Sequence, residues 1–360
     1  MSANRVDGPV RIVGTGLLGT SIGLVLRRLG VDVSLVDASP TALALAVEYG
    51  AGNKATEEDT PALVVVAVPP DVAASVIAEQ LAQFPDAVVT DVSSVKGSIV
   101  ADLESRGVDA SRYVGSHPMA GRERGGATAA RVDLFTGRSW VVCARDENPR
   151  SAVEEIVDLA LACGATVVEM SVDDHDAAVA LVSHVPQVVS SVVAGTLTNA
   201  DADFVGIAGG GLRDVTRVAA SDPTMWVQIL SANSARVAPL VRSIGEHLTA
   251  IADSLDSGSP TAALAETLAS GNSGVSRLPG KHGNSARFAQ VLVIIDDKPG
   301  QLARLLTDIG ELGVNMEDLR LEHSPGAQIG FAEVSVIPDA EDKLVTALEA
   351  RGWRIAGEAS

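Results

Sequence analysis

One histidine stands in a segment whose composition suits chemistry. His117 lies in the run 116–121 (SHPMAG), a turn bounded by proline and glycine after the apolar residues 113–115. Histidine titrates near neutral pH, so a histidine that is held in place can accept a proton as a hydride leaves the substrate. The chain also opens with a glycine-rich run at 14–19 (GTGLLG), which is typical of nucleotide binding. The two features together predict a dehydrogenase.

The glycine-rich run has the surroundings that a dinucleotide site needs. It follows an apolar strand pattern at 10–13 and opens a helical pattern at 17–29. The first glycine allows a tight turn, the second lets the backbone approach a pyrophosphate, and the third lets helix and strand pack closely. The N–H groups of the helix N-terminus favour phosphate. The predicted cofactor-binding residues are Gly14, Gly16, Leu17, Leu18, Gly19, Asp37, Val68, Pro69 and Ser93.

Asp37 decides which dinucleotide is expected. It ends the next strand pattern, about 20 residues after the glycines, where an acid would hydrogen-bond a ribose 2′-hydroxyl and repel a 2′-phosphate. No arginine follows in 38–40, so NAD is favoured over NADP. A helix cap before Pro40 is the alternative role for Asp37. Val68 and Pro69 are expected to shape the nicotinamide side.

A second segment, 209–226, carries an acid and an arginine at helical spacing. Asp214 and Arg217 stand three residues apart on a predicted helix, so they share a face and can pair. An arginine held in this way can offer its planar fork to a substrate carboxylate. An ordinary surface salt bridge is the alternative for this segment taken alone.

Composition limits the class of protein. A net charge of −19 over 360 residues repels phosphate backbones, so nucleic acid is not an expected partner. Cys143 and Cys163 lie far apart and near no histidine pair, which predicts buried thiols in a reducing compartment and no metal site. The apolar run 177–200 carries too many polar residues for lipid, and the N-terminus lacks a signal peptide's apolar core. A cytoplasmic protein is expected.

The pattern along the chain predicts an α/β protein of three domains. Residues 1–171 alternate short apolar strands with helices, which predicts a Rossmann-type parallel sheet that binds NAD. Residues 172–270 are predicted to be all-helical, with one helix so apolar that a homodimer interface is expected. A glycine- and serine-rich linker follows at 271–286, and 287–360 has the βαββαβ order of a small α+β domain.

Several segments, taken in order, resemble the prephenate/arogenate dehydrogenase family of tyrosine biosynthesis. They are 14–19, 91–96 (DVSSVK), 116–121, 183–186 (SHVP) and 211–226. The resemblance covers roughly residues 8–255, and its histidine and arginine segments are specific whereas the glycines are not. The tail 288–356, with DKPGQL at 297–302, looks like an ACT domain, a small-ligand sensor.

The resemblance implies oxidation of the ring hydroxyl carbon of a cyclohexadienyl acid by NAD, with loss of the ring carboxylate as CO2. His117 matches the proton acceptor, and Ser93 matches the residue that hydrogen-bonds and orients it. Ser93 could also cap the helix predicted at 95–105. The residues implied in substrate binding are Arg217, His184, Glu123, Asp214 and Gln187.

These five residues have different expected parts. Arg217 matches the carboxylate-binding arginine. Glu123 and Asp214 match acids that belong to the same network of ion pairs and hydrogen bonds as that arginine. His184 is either a substrate contact or a core histidine. Gln187 stands where some family members carry a second histidine, so the choice between prephenate and arogenate stays open. His175, His247, His282 and His323 have no predicted role.

Two other classes of protein are alternatives to this interpretation. β-Hydroxy acid dehydrogenases also join a Rossmann domain to helices, but they usually place a catalytic lysine on the long helix, and 176–201 contains none. A non-catalytic NAD- and amino-acid-binding regulator would not need a proton acceptor. We expect an NAD-dependent prephenate dehydrogenase, a homodimer that an aromatic amino acid regulates through the C-terminal domain.

Overall fold

The computed structural model describes Val6 and residues 8–121, 125–257, 261–278, 288–323 and 329–356. The chain divides into two compact units. One comprises residues 1–200 and 215–245, and the other comprises 201–214 and 246–360. Each is described by itself.

The first unit contains an eight-stranded sheet in the order β3-β2-β1-β4-β5-β6-β7-β8. Its elements, in chain order, are β1 (Val10–Val13), α1 (Leu17–Arg28), β2 (Val33–Val36), α2 (Pro40–Glu48), β3 (Asn53–Lys54), β4 (Leu63–Val66), α3 (Pro70–Gln83), β5 (Val88–Asp91), α4 (Gly97–Ser105), β6 (Tyr113–Pro118), β7 (Ser139–Cys143), α5 (Arg150–Ala162) and β8 (Thr166–Glu169). The strand reversal beside β1 leaves the carboxyl ends of β1 and β4 next to each other, where ligands bind in doubly wound sheets.

The predicted Rossmann-type sheet is confirmed, with two differences. β3 was not predicted, because two exposed residues carry no apolar pattern. β7 runs antiparallel to β6, whereas a parallel sheet was expected throughout. The connection between these strands holds no α-helix among its described residues, only a 3-10 turn at Ala127–Ala129, so it need not cross the sheet.

Burial explains why this sheet forms. Every residue of β1 and of β4 is buried, as expected for central parallel strands covered by helices on both faces. Cys143 and Cys163 are buried free thiols, as predicted. Burial raises the pKa of each to about 12, so both stay protonated and unreactive at neutral pH.

Beyond the sheet, the regular elements of the described chain are helices as far as Val275. The helices are α6 (Val172–Val179), α7 (Val185–Gly195), α8 (Ala202–Gly206), α9 (Gly210–Thr216), α10 (Pro223–Ala232), α11 (Ser234–Asp256) and α12 (Thr261–Val275). α12 includes the first five residues of the predicted linker, so glycines near its end do not stop it. A glycine costs only about 1 kcal/mol relative to alanine inside a helix.

A π-helical turn, Ala180–His184, joins α6 to α7. Pro186 lies in the first turn of α7, and it lacks the N–H and clashes with the preceding turn, which accounts for the wider winding. Val172–Gly195 is long and apolar enough to cross a membrane by length and composition alone. Its buried polar side chains, His175, Asp176 and His184, line the interior of the protein instead.

The C-terminal part folds as a four-stranded antiparallel sheet, ordered β10-β11-β9-β12. Its elements are β9 (Ala289–Asp296), α13 (Gln301–Glu311), β10 (Met316–His323), β11 (Ile329–Val336), α14 (Glu341–Ala350) and β12 (Arg354–Ile355). Its apolar core is its own and joins the sheet to both helices. The predicted βαββαβ order is therefore confirmed.

Candidate active site

The glycine-rich loop fits a dinucleotide. Gly14 has φ +101°, and a Cβ there would overlap the carbonyl group of Ala67. A Cβ on Gly19 would overlap the carbonyl oxygen of Gly14. By contrast, a Cβ on Gly16 would meet no atom within 4 Å, so this glycine leaves open space in front of the backbone. Gly16 caps α1 without a side-chain hydrogen bond, so the first N–H groups of the helix face that space.

Asp37 braces this loop. Its carboxylate accepts hydrogen bonds from the Thr15 backbone N–H at 2.6 Å, the Thr15 hydroxyl at 2.7 Å and the Ser39 N–H at 2.8 Å. Ser39, not Asp37, caps α2. A carboxylate has about four lone-pair positions, so one remains for a sugar hydroxyl.

The remaining predicted cofactor residues surround the same end of the sheet. Leu17 and Leu18 begin α1 and are half-buried, and Leu18 packs on the core. Val68 follows β4, and Pro69 precedes α3. The residues present therefore fit an NAD-type cofactor.

His117 is positioned by β6, one residue after a hydroxyl that ties β6 to its neighbours. Ser116 Oγ donates to the Asp91 carbonyl at 2.8 Å and accepts from Trp140 Nε1 at 3.1 Å. Ser116 and Trp140 are completely buried. The strand that carries His117 is thus fixed against β5 and β7.

A chain of hydrogen bonds runs from His117 into α6. His117 Nδ1 lies 2.9 Å from His175 Nε2, and His175 Nδ1 lies 2.8 Å from Asp176 Oδ1. The carboxylate of Asp176 also accepts the backbone N–H groups of Lys96 and Gly97, at 2.9 and 2.8 Å. His175 is completely buried. This cluster joins the end of β6 to the N-terminus of α4.

Burial keeps His117 neutral. Desolvation, together with the nearby His175, Lys96 and His184, lowers the pKa of His117 well below 6.5. Burial alone would raise the pKa of Asp176, but hydrogen bonds from His175 and from two backbone N–H groups hold it below its usual value. At neutral pH the site therefore contains an uncharged imidazole and an ionised carboxylate, joined through His175.

Ser93 does not contact His117 as expected. Among the described residues its hydroxyl has no hydrogen-bond partner, although the residue is only 8% exposed, and His175 occupies the Nδ1 side of His117. The Ser93 N–H donates to Asp91 Oδ2 at 2.9 Å. Asp91 is also paired with Lys96, and both are completely buried, so this ion pair fixes the loop that holds Ser93. Ser93 does not cap α4 either, because that helix begins after Lys96.

His184 offers a hydrogen-bond donor and no charge. Burial lowers its pKa to about 4, so it is neutral at pH 7. Asn233 Nδ2 donates to the Asp176 carbonyl at 2.8 Å and lies 3.2 Å from His184 Nδ1, which must therefore accept. The proton of neutral His184 is then on Nε2, a buried atom without a hydrogen-bond partner in the described structure. The ring of Trp226 packs against it edge-on, with centroids 6.1 Å apart.

The other predicted substrate residues are placed as follows. Asp214 lies on α9, and Arg217 begins the 3-10 turn Arg217–Ala219 that follows, so they do not share one regular helix. Both are exposed. Gln187 is buried on α7, and its amide donates to Ser191 Oγ at 3.4 Å. Glu123 lies outside the described residues.

Sequence reasoning missed three members of this cluster: His175, Asp176 and Asn233. In the sequence, His175 and Asp176 sit in the acidic run 173–176 at a helix start, a pattern that usually reflects capping and the helix dipole. Asn233 follows an unremarkable helix. No group of three His, Cys, Asp or Glu side chains in the described part of the chain is arranged to hold a metal ion.

Comparison with known proteins identifies the family. Residues 22–169 match the family model described as "Prephenate dehydrogenase, nucleotide-binding domain", and 171–270 match "Prephenate dehydrogenase, dimerization domain". The "Probable prephenate dehydrogenase NovF" of Streptomyces niveus is 36% identical over 95% of this chain and 98% of that protein. The chain belongs to the prephenate dehydrogenase family. The resemblance stated from the sequence motifs is thus confirmed.

A solved structure and a second relative agree with this assignment. The prephenate dehydrogenase from A. aeolicus in complex with hydroxyphenyl propionate and NAD+ has a TM-score of 0.67 at 26% identity, covering 75% of this chain and 98% of that chain. The prephenate dehydrogenase of Bacillus subtilis is 28% identical over 65% of this chain and 66% of that protein. The predictions of an NAD-dependent oxidoreductase and of prephenate dehydrogenase function are confirmed, against the β-hydroxy acid and regulator alternatives.

The glycine loop of this family member generates a first prediction. Gly16→Ala should leave the free energy of unfolding nearly unchanged, because its Cβ meets open space, yet should weaken NAD binding, because that space faces the α1 N-terminus. Gly14→Ala should instead destabilise the fold by about 2–5 kcal/mol through a positive φ and overlap with Ala67. Urea unfolding and NAD titration of both variants check this; equal NAD affinity for Gly16→Ala and wild type would contradict it.

The depressed pKa of His184 predicts acid lability. The folded protein holds this ring neutral down to about pH 4, whereas the unfolded chain takes up the proton near pH 6.5. The stabilisation is therefore complete above about pH 6.5 and is lost as the pH falls to about 4, by up to about 3 kcal/mol at 1.4 kcal/mol per pKa unit. In urea unfolding across this pH range, the free energy of unfolding of His184→Gln should fall less steeply than that of the wild type. Parallel curves for the two proteins would refute the assignment.

Proposed function

We propose that this protein catalyses the oxidative decarboxylation of prephenate to 4-hydroxyphenylpyruvate, with His117 Nε2 as the proton acceptor. The observation that carries the assignment is the state of His117. It is neutral because burial lowers its pKa, and its Nδ1 is occupied by His175, so Nε2 is the nitrogen left for the substrate. A base used at neutral pH must be unprotonated beforehand, and this histidine meets that requirement.

The chemistry balances without a metal. NAD, held by the glycine loop, would supply the hydride acceptor through its nicotinamide ring. His117 takes the hydroxyl proton of the ring alcohol, and the C–H electron pair leaves that carbon, which becomes a carbonyl carbon. The bond from the ring to its carboxylate then breaks, CO2 departs, and its electron pair completes the aromatic ring. The former carbonyl oxygen is then a phenolate, and it takes back the proton that His117 held at Nε2, so the phenol product leaves and the neutral base is restored with no net release of a proton.

Two groups are proposed for the substrate carboxylates. Arg217 provides a charge that can pair bidentately, and His184 provides a neutral Nε2–H donor in a fully buried position. Gln187 supports recognition of the side-chain end, because its amide can serve a keto acid or an amino acid. Asp214 and Glu123 are proposed to steer Arg217. Ser93, with a buried hydroxyl aimed at no described protein atom, is proposed to hydrogen-bond the substrate or the cofactor near His117.

Assembly and location follow from the same helices. We propose a cytoplasmic homodimer that forms through the dimerisation domain. The apolar side chains Leu181, Val182 and Val192 on the π turn and α7 are more than 60% exposed in the single chain, as expected for a face that a second copy covers. Nucleic acid and membranes are not proposed partners, since the net charge is −19 and this helix carries buried polar groups.

The C-terminal domain is proposed to be ACT-like and to bind an aromatic amino acid such as tyrosine. Support comes from its βαββαβ order and from the loop before α13, where Gly300 adopts φ +87° beside a helix N-terminus that favours carboxylates.

Tyrosine feedback has a direct test in the full chain. Tyrosine should lower the rate of NADH formation, and saturating prephenate should not overcome the effect, because the effector binds outside the active site. Initial rates over a grid of both concentrations distinguish this from competition. Inhibition that prephenate fully relieves, or none at all, would exclude feedback through the tail.

The reaction is tested by initial rates of NADH formation with prephenate and with arogenate in parallel, each repeated with NADP. Prephenate with NAD should be the preferred pair. His117→Asn should keep NAD affinity and lose about 10²–10⁴-fold in kcat, the usual contribution of a general base. His247→Gln, an exposed histidine on α11, is the control. Near-wild-type turnover by His117→Asn would overturn the mechanism.

Arogenate is the second candidate substrate, because Gln187 replaces a histidine that some family members use. A preference for arogenate would keep every residue role except those at the side-chain end, and would change only the product to tyrosine.

A further inference from the structure

The His175–Asp176 pair has no part in the reaction as set out above, yet it touches both histidines of the site. The Asp176 side chain contacts His175, which contacts His117, and the Asp176 backbone carbonyl accepts from Asn233, which contacts His184. All of these groups lie in the same compact unit. Two adjacent residues of α6 are therefore in a position to govern both rings.

The position of the Asp176 carboxylate is built into the backbone. Both of its oxygens accept N–H groups at the N-terminus of α4, where the helix dipole favours a negative charge. Gly97 makes this approach possible, because a Cβ there would lie only 2.8 Å from Asp176 Oδ2. A carboxylate held in this way stays ionised and can only accept hydrogen bonds.

The direction of each hydrogen bond then follows. Because the carboxylate accepts, His175 Nδ1 must donate to it. A neutral imidazole that donates from Nδ1 can only accept at Nε2, so the proton shared with His117 belongs to His117 Nδ1. His117 Nε2 then carries a lone pair. With the opposite tautomer, Nε2 would carry a hydrogen and could not take a proton from the substrate.

We propose that His175 and Asp176 are positioning residues that fix His117 in the Nδ1–H tautomer and so keep Nε2 available as the base. The proposal rests on the proposed role of His117. When His117 becomes an imidazolium during turnover, His175 Nε2 accepts its Nδ1–H, and the ionised Asp176 stabilises the developing charge at one ring's distance.

The test uses His175→Leu and His175→Gln in the full-length enzyme. Leucine removes the acceptor for His117 Nδ1–H, so kcat should fall by about 10²-fold or more, since a wrong tautomer forfeits most of a general base's 10²–10⁴-fold contribution. KM for prephenate and for NAD should stay within about three-fold, because no binding contact is lost. Glutamine brings a carbonyl acceptor and should recover about ten-fold of the loss.

A double variant separates positioning from a merely structural role. If His175 acts through His117, adding His175→Leu to His117→Asn should slow the enzyme no further than His117→Asn alone. A structural role would make the two losses multiply. Asp173→Asn, an exposed acid on the same helix, is the matched control and should leave kcat unchanged.

Gly97→Ala tests the same chain without altering a histidine. The added methyl must push the Asp176 carboxylate aside, so kcat should fall by about ten-fold while the melting temperature stays close to that of the wild type. This variant carries the test if His175→Leu does not fold. Gly195→Ala at the end of α7, where a Cβ meets no described atom within 4 Å, is its control.

The outcomes distinguish the positioning role of His175 from the proposed role of His117 as the base. Wild-type kcat in folded His175→Leu, or multiplied losses in the double variant, would overturn the positioning role. If His117→Asn itself keeps wild-type turnover, the proposed base falls and the positioning role falls with it. If His117→Asn is inactive while His175→Leu keeps the wild-type kcat, only the positioning role would be rejected.

Discussion

The Asp176 carboxylate accepts three N–H groups, from the Lys96 and Gly97 backbone and from the His175 ring. This one acceptor determines which atom donates in each hydrogen bond that leads to His117. The backbone carbonyl of Asp176 accepts a hydrogen bond from Asn233, and so determines the direction of the hydrogen bond at His184 as well. The two rings end in opposite states, His117 with a lone pair at Nε2 and His184 with a hydrogen there. One can take a proton from an alcohol, and the other can donate a hydrogen bond to a substrate oxygen.

The arrangement depends on burial. Desolvation lowers the pKa of both histidines, so neither carries a charge at neutral pH. One buried ion pair lies close to the site: Asp91 contacts Lys96, and the Tyr113 hydroxyl donates to Asp91 at 2.8 Å. An unpaired charge in such surroundings would be costly, whereas a pair that is fully hydrogen-bonded can be tolerated and holds its neighbours in place. Here it holds the loop of Ser93 and the start of α4, whose backbone N–H groups donate to the Asp176 carboxylate.

Much of the molecule could be predicted from the sequence. β1 was predicted residue for residue, because an apolar strand between polar turns leaves little choice of boundary. Gly14 and His117 could be identified because their neighbours in sequence are part of the signal. His175 could not, since its partners lie 58 residues upstream and one residue downstream, and an acidic helix start is common for other reasons. The antiparallel direction of β7 also could not be predicted, because the composition of a strand does not encode its direction.

The Ser93 expectation shows the same limit. The contact between Ser93 and His117 was assigned by resemblance alone. The structure places His175 at Nδ1 of His117 and leaves the Ser93 hydroxyl buried, without a hydrogen-bond partner among the described residues. Sequence motifs identify which residues gather at a site more readily than they identify which atoms pair.

Ring-nitrogen chemical shifts of the labelled wild-type protein show whether the two histidines are held in opposite tautomers. Long-range ¹H–¹⁵N correlation spectra at neutral pH, with His117 and His184 assigned from their Asn and Gln variants, report which nitrogen of each ring carries the proton. We expect a protonated Nδ1 for His117 and a protonated Nε2 for His184. A protonated Nε2 on His117, or a doubly protonated His175, would contradict it.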